Sequence, residues 1–219
     1  QGVWWSETGL PRSLEQTPWW VASVNRPRAR ELTERLQQAG ALEIHLFTNA
    51  GEVPIANRLA TPGTTGVDRA LIALASSRRV PRGTGCLVVS CGTAITVERL
   101  DRQGIWEGGA ILPGLGLAAR SLARGTAQLP EIALEQAPNQ PFGDSTASAL
   151  AAGLFWGTVG AIREVLSQQR QPDAQVLWTG GDAARLAPWV SSGPPVILPS
   201  LTLEGLAWMT RIPSSSSPS

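Results

Sequence analysis

Between Cys86 and Ile111 three strand-like runs follow one another with almost no chain between them: Cys86 to Ser90, Ala94 to Leu100 and Ile105 to Ile111. Gly92-Thr93 turns the first run into the second, and Asp101-Arg102-Gln103-Gly104 turns the second into the third, so the stretch is a β-meander. The rest of the chain must be arranged around that sheet. The first turn raises a chemical question as well. Glycine has no side chain to keep an anion away from the backbone amides, and a threonine hydroxyl adds a donor. The turn therefore suits a phosphate, and it equally suits a plain polar hairpin.

Elements on either side alternate in type. Trp19 to Val24 reads as a strand, Arg28 to Ala39 as a helix with Leu32 and Leu36 on one face, and Leu42 to Phe47 as a second strand. The loop Ala60-Thr61-Pro62-Gly63-Thr64-Thr65-Gly66 feeds a helix from Asp68 to Ser77. Beyond the meander come helices at Gly116 to Arg124 and Thr146 to Gln169, and a strand at Gln175 to Trp178. The turn Thr179-Gly180-Gly181, a helix from Asp182 and a strand at Val196 to Leu198 complete the pattern. Val80-Pro81-Arg82-Gly83 marks a boundary, giving one α/β domain over 1–83 and a second over 84–212. Residues 213–219, rich in serine, read as a disordered tail.

Composition narrows the chemistry. All 18 basic residues are arginine, scattered rather than clustered, and the net charge is +1, which argues against a nucleic-acid partner. Without lysine there is no P-loop lysine and no Schiff-base chemistry. The longest apolar runs, Cys86 to Val97 and Ala110 to Ala119, are too short and too interrupted to span a bilayer, and the start carries no basic, apolar leader. The expectation is a cytoplasmic protein without a membrane partner. Cys86 and Cys91 read as free thiols, and with His45 as the single histidine no metal site is expected.

Three further stretches join the turn as candidates. Gly66-Val67-Asp68-Arg69 sets a carboxylate and a guanidinium where a loop enters a helix. Phosphoryl transfer to an alcohol needs such a pair, and the helix dipole favours an acid there for its own reasons. Gly108-Gly109 permits close backbone approach, of a ligand, a strand or a second subunit. Trp178-Thr179-Gly180-Gly181-Asp182 ends a strand in a glycine pair before a helix.

Taken in order, these stretches resemble the type III pantothenate kinase family, within the superfamily of acetate kinase, sugar kinases, heat-shock protein 70 and actin. The match is carried by Val21-Ala22-Ser23-Val24-Asn25, Gly66-Val67-Asp68-Arg69, Gly92-Thr93-Ala94-Ile95-Thr96-Val97, Gly108 to Gly114, Arg124-Gly125-Thr126-Ala127-Gln128-Leu129-Pro130, Gly143-Asp144-Ser145-Thr146 and Thr179-Gly180-Gly181. The resemblance implies duplicated ribonuclease H-like (actin-like ATPase) domains, with mixed sheets flanked by helices and ATP between the halves. The implied reaction is phosphorylation of pantothenate to 4'-phosphopantothenate, the first step of coenzyme A biosynthesis. It is carried out by a homodimer with Mg²⁺ and a monovalent cation, K⁺ or NH₄⁺. By the same resemblance Asp68 is the general base, Gly66, Val67, Asp68 and Arg69 grip pantothenate, Gly92 and Thr93 meet the ATP phosphates, and Thr146 reaches pantothenate from the neighbouring subunit.

Two departures stand out. The family's opening Asp-x-Gly-Asn-Thr does not occur ahead of Trp19, which implies a chain lacking its N-terminal phosphate loop. Ser90 stands where the family carries the aspartate that holds the monovalent cation. Both leave open an alternative, a catalytically impaired pseudo-kinase or binding protein of the same fold. A sugar or acid kinase of the superfamily is disfavoured by the Gly-Val-Asp-Arg and Arg-Gly-Thr-Ala-x-Leu-Pro strings.

Overall fold

Helix α1, Arg26–Gln38, starts where Asn25 turns its side chain back to accept the Arg28 amide at 3.2 Å, with Pro27 in the first turn, where a missing N–H costs nothing. It crosses between two short parallel strands, β1 (Trp19–Ala22) and β2 (Ile44–Phe47), in register Trp19↔Ile44 to Ala22↔Phe47. Leu36, Val21 and Ala41 form the core of this β-α-β unit, with Trp19, Leu32 and Ile44 packed against it. The computed structural model describes residues 17–134, 136–169 and 173–211, and the expected tail at 213–219 lies outside them.

The chain forms two compact units. Among the described residues, unit 1 comprises Thr17–Pro54, Ala60–Leu74 and Thr202–Arg211, and unit 2 comprises Ile55–Leu59 and Ala75–Leu201. The expected boundary at Gly83 divides the chain elsewhere, and the packing gives the reason. Asn57 bridges to Trp106, and Arg58 Nη1 donates to Asp101 Oδ2 at 2.7 Å and Glu107 Oε1 at 3.0 Å, which binds the Ile55–Leu59 segment to unit 2. In unit 1, a side chain on Gly205 would stand 2.2 Å from the Leu71 carbonyl oxygen. Helix α6, Leu201–Met209, which the sequence reading does not contain, therefore lies directly on the backbone of helix α2, Val67–Arg79.

Unit 2 is a five-stranded mixed sheet in the order β5-β4-β3-β6-β7. The meander is present as expected: β3 (Cys86–Cys91) and β4 (Ala94–Leu100) pair antiparallel, and β4 pairs antiparallel with β5 (Trp106–Pro113). Strands β6 (Gln175–Thr179) and β7 (Val196–Ile197) add in parallel on the other side of β3. Three antiparallel strands followed by two parallel ones is the sheet expected of a ribonuclease H-like domain. One face carries Val89, Cys91, Ile95, Val97 and Trp178 into a core completed by three helices. Leu115 comes from α3 (Leu115–Gly125), Phe155, Val159 and Ile162 from α4 (Thr146–Ser167), and Leu186 from α5 (Ala183–Val190). Each such side chain taken fully from water is worth about 1.5 to 3 kcal/mol.

Helix α4 is the one described element that bears on the membrane expectation. By length and composition it is apolar enough to cross a bilayer, which a scan for unbroken apolar runs passes over because Gly153, Gly157 and Gly160 dilute the pattern. One stripe of it is buried in the core of unit 2, and its start is fixed by a capping box: the Ser145 hydroxyl accepts the Ser148 amide and the Ser148 hydroxyl accepts the Ser145 amide.

Candidate active site

In unit 1, Gly66 bridges to Asn49, and the Ala50 amide donates to the Thr65 carbonyl at 2.8 Å. Val67 is buried and starts α2, which leaves Asp68 exposed on its first turn and Arg69 half-buried beside it. The Asp68 carboxylate turns back over the loop, with Oδ1 accepting the Arg69 amide at 2.9 Å. A β-carbon on Gly66 would lie 2.5 Å from that same oxygen and 3.3 Å from Val24 Cγ1. Gly66 thus leaves the room that the carboxylate occupies, and the end of β1 closes the other side.

Residues that the sequence reading misses hold this loop. Glu52 accepts from the Thr48 amide at 2.7 Å, from Asn49 Nδ2 at 2.6 Å and from the Thr48 hydroxyl at 3.2 Å, while Asn49 Oδ1 accepts the Gly51 amide. The only local signal is the Thr-Asn-x-Gly-Glu string itself, a turn composition common to many loops.

In unit 2, Gly92 and Thr93 are exposed at the end of the sheet. The Gly92 amide is bonded to the Ala94 carbonyl, and the Thr93 carbonyl accepts the Gly114 amide at 3.0 Å. Two other glycines seal the turn from either side. A β-carbon on Gly114 would stand 2.1 Å from the Gly92 carbonyl oxygen. One on Gly180, whose φ is +91°, would stand 2.4 Å from the Cys91 carbonyl oxygen. The Asp182 amide donates to that Cys91 carbonyl at 3.1 Å. Three stretches singled out in the sequence, around Gly92, Gly114 and Gly180, therefore meet in one cluster.

Gly108 and Gly109 serve the packing of the sheet. Gly108 has φ +101° beside the bulge at Arg99/Leu100, and a β-carbon on Gly109 would lie 2.0 Å from the Val97 carbonyl oxygen and 2.7 Å from Glu98 Oε2. They let β5 close on β4 around the buried Glu98, which accepts the Trp106 indole N–H at 2.9 Å. Thr146 is exposed on the first turn of α4, without a hydrogen bond to the Gly92–Thr93 turn. Both cysteines are buried free thiols, and burial pushes each up to about 12, for Cys91 with help from the Asp182 charge. His45 is bonded to Glu43 at 2.7 Å and stacked on Trp20.

Ser90 pairs in register with Thr96 on β4 and Thr179 on β6, so three hydroxyls cross one face of the sheet, and Thr96 Oγ1 is buried without a partner among the described residues. A row of neutral hydroxyls supplies no charge to offset a cation's, as an aspartate there would.

A family model for type III pantothenate kinase matches residues 2–168. The chain belongs to the type III pantothenate kinase family. A type III pantothenate kinase from Chromobacterium violaceum is 38% identical over 201 residues, covering 89% of this chain and 81% of that protein. One from Herminiimonas arsenicoxydans is 33% identical over 194 residues, covering 85% and 72%. One from Janthinobacterium sp. (strain Marseille) is 41% identical over 150 residues; there the match takes in 66% of this chain and 57% of the relative, less than two thirds of its length. A solved structure of a Baf family protein from Campylobacter jejuni, 19% identical, superposes with a TM-score of 0.62 over 90% of this chain and 83% of that one, which speaks for the fold.

Proposed function

We propose that the chain transfers the γ-phosphoryl group of ATP to the primary hydroxyl of pantothenate, giving 4'-phosphopantothenate and ADP, the first step towards coenzyme A. The observation that carries this reading is Asp68: an exposed carboxylate held over a glycine by a main-chain amide, with an arginine next to it. In this family such a group has one evident task. As the pantothenate oxygen attacks the γ-phosphorus, its proton passes to Asp68, the bond to the bridging oxygen breaks, and ADP leaves with that electron pair. Gly66, Val67 and Arg69 hold the acceptor, and Arg69 offsets developing negative charge. Gly92, without a side chain, leaves the phosphates room to approach and Thr93 brings a hydroxyl, and Mg²⁺ arriving with ATP would neutralise part of their charge.

The monovalent cation fits less well. With Ser90 in a row of neutral hydroxyls, K⁺ or NH₄⁺ at that row would meet oxygens without a carboxylate's charge. A homodimer is supported by the outer face of α4. Only 22% of its most apolar window is buried, and with β5 it frames an apolar groove of about 240 Å³ along Leu112, Pro113, Gly153 and Gly157. Thr146 stands exposed at the head of the same helix, where the neighbouring subunit's pantothenate would meet it. Free thiols accord with work in the cytoplasm.

The test is ADP formation dependent on both ATP and pantothenate, with and without K⁺, beside Asp68→Asn. The variant is expected to lose about 10²- to 10⁴-fold in rate with its unfolding midpoint unchanged. Full activity in Asp68→Asn would remove Asp68 as the base. Ser90 favours a second reading, a pseudo-kinase that keeps the fold; tight binding of ATP and Mg²⁺ in calorimetry together with turnover would exclude it.

A further inference from the structure

Arg185, on the first turn of α5, joins two segments that neither a strand nor a helix connects. Its Nη1 donates to Asp182 Oδ1 at 2.7 Å, and its Nη2 donates to the backbone carbonyl of Leu134, in the long loop between α3 and α4. The side chain is 27% exposed, and its Nε–H is buried without a partner among the described residues. An ion pair at i, i+3 on an open helix surface contributes little and needs no third partner. Here the fork geometry of the guanidinium is what matters, since two divergent donors reach two acceptors that a single ammonium cannot span.

One end of this strut leads to the candidate site and the other to the loop after α3. On one side, Asp182 gives its amide to the Cys91 carbonyl, immediately ahead of the Gly92–Thr93 turn. On the other, the Leu134 and Ala137 side chains rest on the core under α4 and α5, downstream of the Arg124 to Pro130 string. Leu134 has a side-chain footing in the core, and its carbonyl is fixed by Arg185.

We infer that Arg185 is a positioning residue that ties the loop after α3 to the Gly180–Asp182 turn, and through it to the Gly92–Thr93 turn, so that this turn is held in one geometry. The inference rests on the kinase reading for its kinetic consequence. It touches no reacting atom. Its loss therefore alters how well ATP is held, and leaves the chemical step nearly as it was.

The experiment compares the full chain with Arg185→Met and Arg185→Lys. Arg185→Met is expected to raise the KM for ATP about tenfold and to leave that for pantothenate within about threefold, with kcat within about threefold, the size of one charge-assisted hydrogen bond lost from a binding geometry. Arg185→Lys, which keeps the charge and one of the two contacts, is expected to fall between, and added methylguanidinium is expected to restore KM in Arg185→Met. Amide exchange in residues 126–134 is expected to quicken in both variants while β3, β4 and β6 keep their protection. Unchanged KM with unchanged exchange overturns the inference, and so does a fall in kcat at constant KM. If the unaltered chain phosphorylates no pantothenate, the kinase reading fails; exchange in 126–134, with and without methylguanidinium, still decides whether Arg185 ties the loop.

Discussion

The Gly92–Thr93 turn and the Gly66–Arg69 loop are both candidate ligand-holding loops, and they are built by opposite means. The first is made of backbone pressed on backbone: Gly114 and Gly180 approach the carbonyls of Gly92 and Cys91 so closely that neither tolerates a side chain. The second is made of side chains. Glu52 gathers Thr48 and Asn49, Asn49 bridges to Gly66, and the crowded atom above Gly66 is the far end of the Asp68 side chain. A backbone-sealed turn has one shape, whereas a loop held by side chains can be re-aimed by rotating a few bonds.

Gly114→Ala should break that contrast most violently. The new methyl would stand 2.1 Å from a carbonyl oxygen that cannot swing away. Urea unfolding is expected to show a loss of about 3 kcal/mol, the upper end for forcing extra volume into a packed site. ATP binding should vanish with it. A variant of unchanged midpoint would mean that the turn is not sealed as described. Gly66→Ala is the matched test in the other loop. Here the clash is with Asp68 Oδ1 at 2.5 Å, which a rotated χ1 relieves, so the midpoint should move by no more than about 1 kcal/mol. The carboxylate is displaced, and turnover is expected to fall about tenfold or more. Equal stability losses in the two variants would erase the distinction.

The smallest effect lies within unit 2, where one joint is made by side chains. Burial alone pushes the Asp101 carboxyl up. The amide of Ile105, the Arg58 guanidinium and the amide of Gln103 outweigh it, so the group sits below the usual carboxylate range. A depressed folded value means stability that is present above the ordinary value, near pH 4, and is lost as the pH falls through the folded one. Urea midpoints measured from about pH 6 down to about pH 3 should decline, and in Asp101→Asn the decline should be shallower. Identical slopes would show that Asp101 does not anchor the Ile55–Leu59 segment through its charge.

What could be read from the sequence follows the same divide. The meander is legible because β-branched runs and turn residues are local signals, and the start of α4 is legible because Ser145 caps it. Helix α6 escapes notice: Leu201 to Met209 is short and apolar nearly all round, so no stripe marks it, and its place in unit 1 depends on Gly205 lying against Leu71, more than a hundred residues away. Asp68 and Thr93 are named by family resemblance. The glycines that seal Thr93's turn, and the Glu52 knot that holds Asp68's loop, are tertiary facts that spacing does not encode.

The Cys91 thiol, buried next to the Gly92–Thr93 turn and raised to about 12, has a practical consequence. Closed, it is deaf to alkylating reagents, because too little thiolate exists and no path leads to it. Its side chain lies in the core that α5 helps to close, and its carbonyl is the point on which Asp182 and Gly180 converge, so an excursion that lifts α5 together with that turn uncovers the sulfur. The rate at which a thiol reagent modifies Cys91 therefore counts openings of the turn, with Cys86 at the far end of the same strand as the internal reference. Nature has placed a stopwatch behind this turn, and if the turn holds ATP as proposed, binding should be visible as the interval between ticks growing longer.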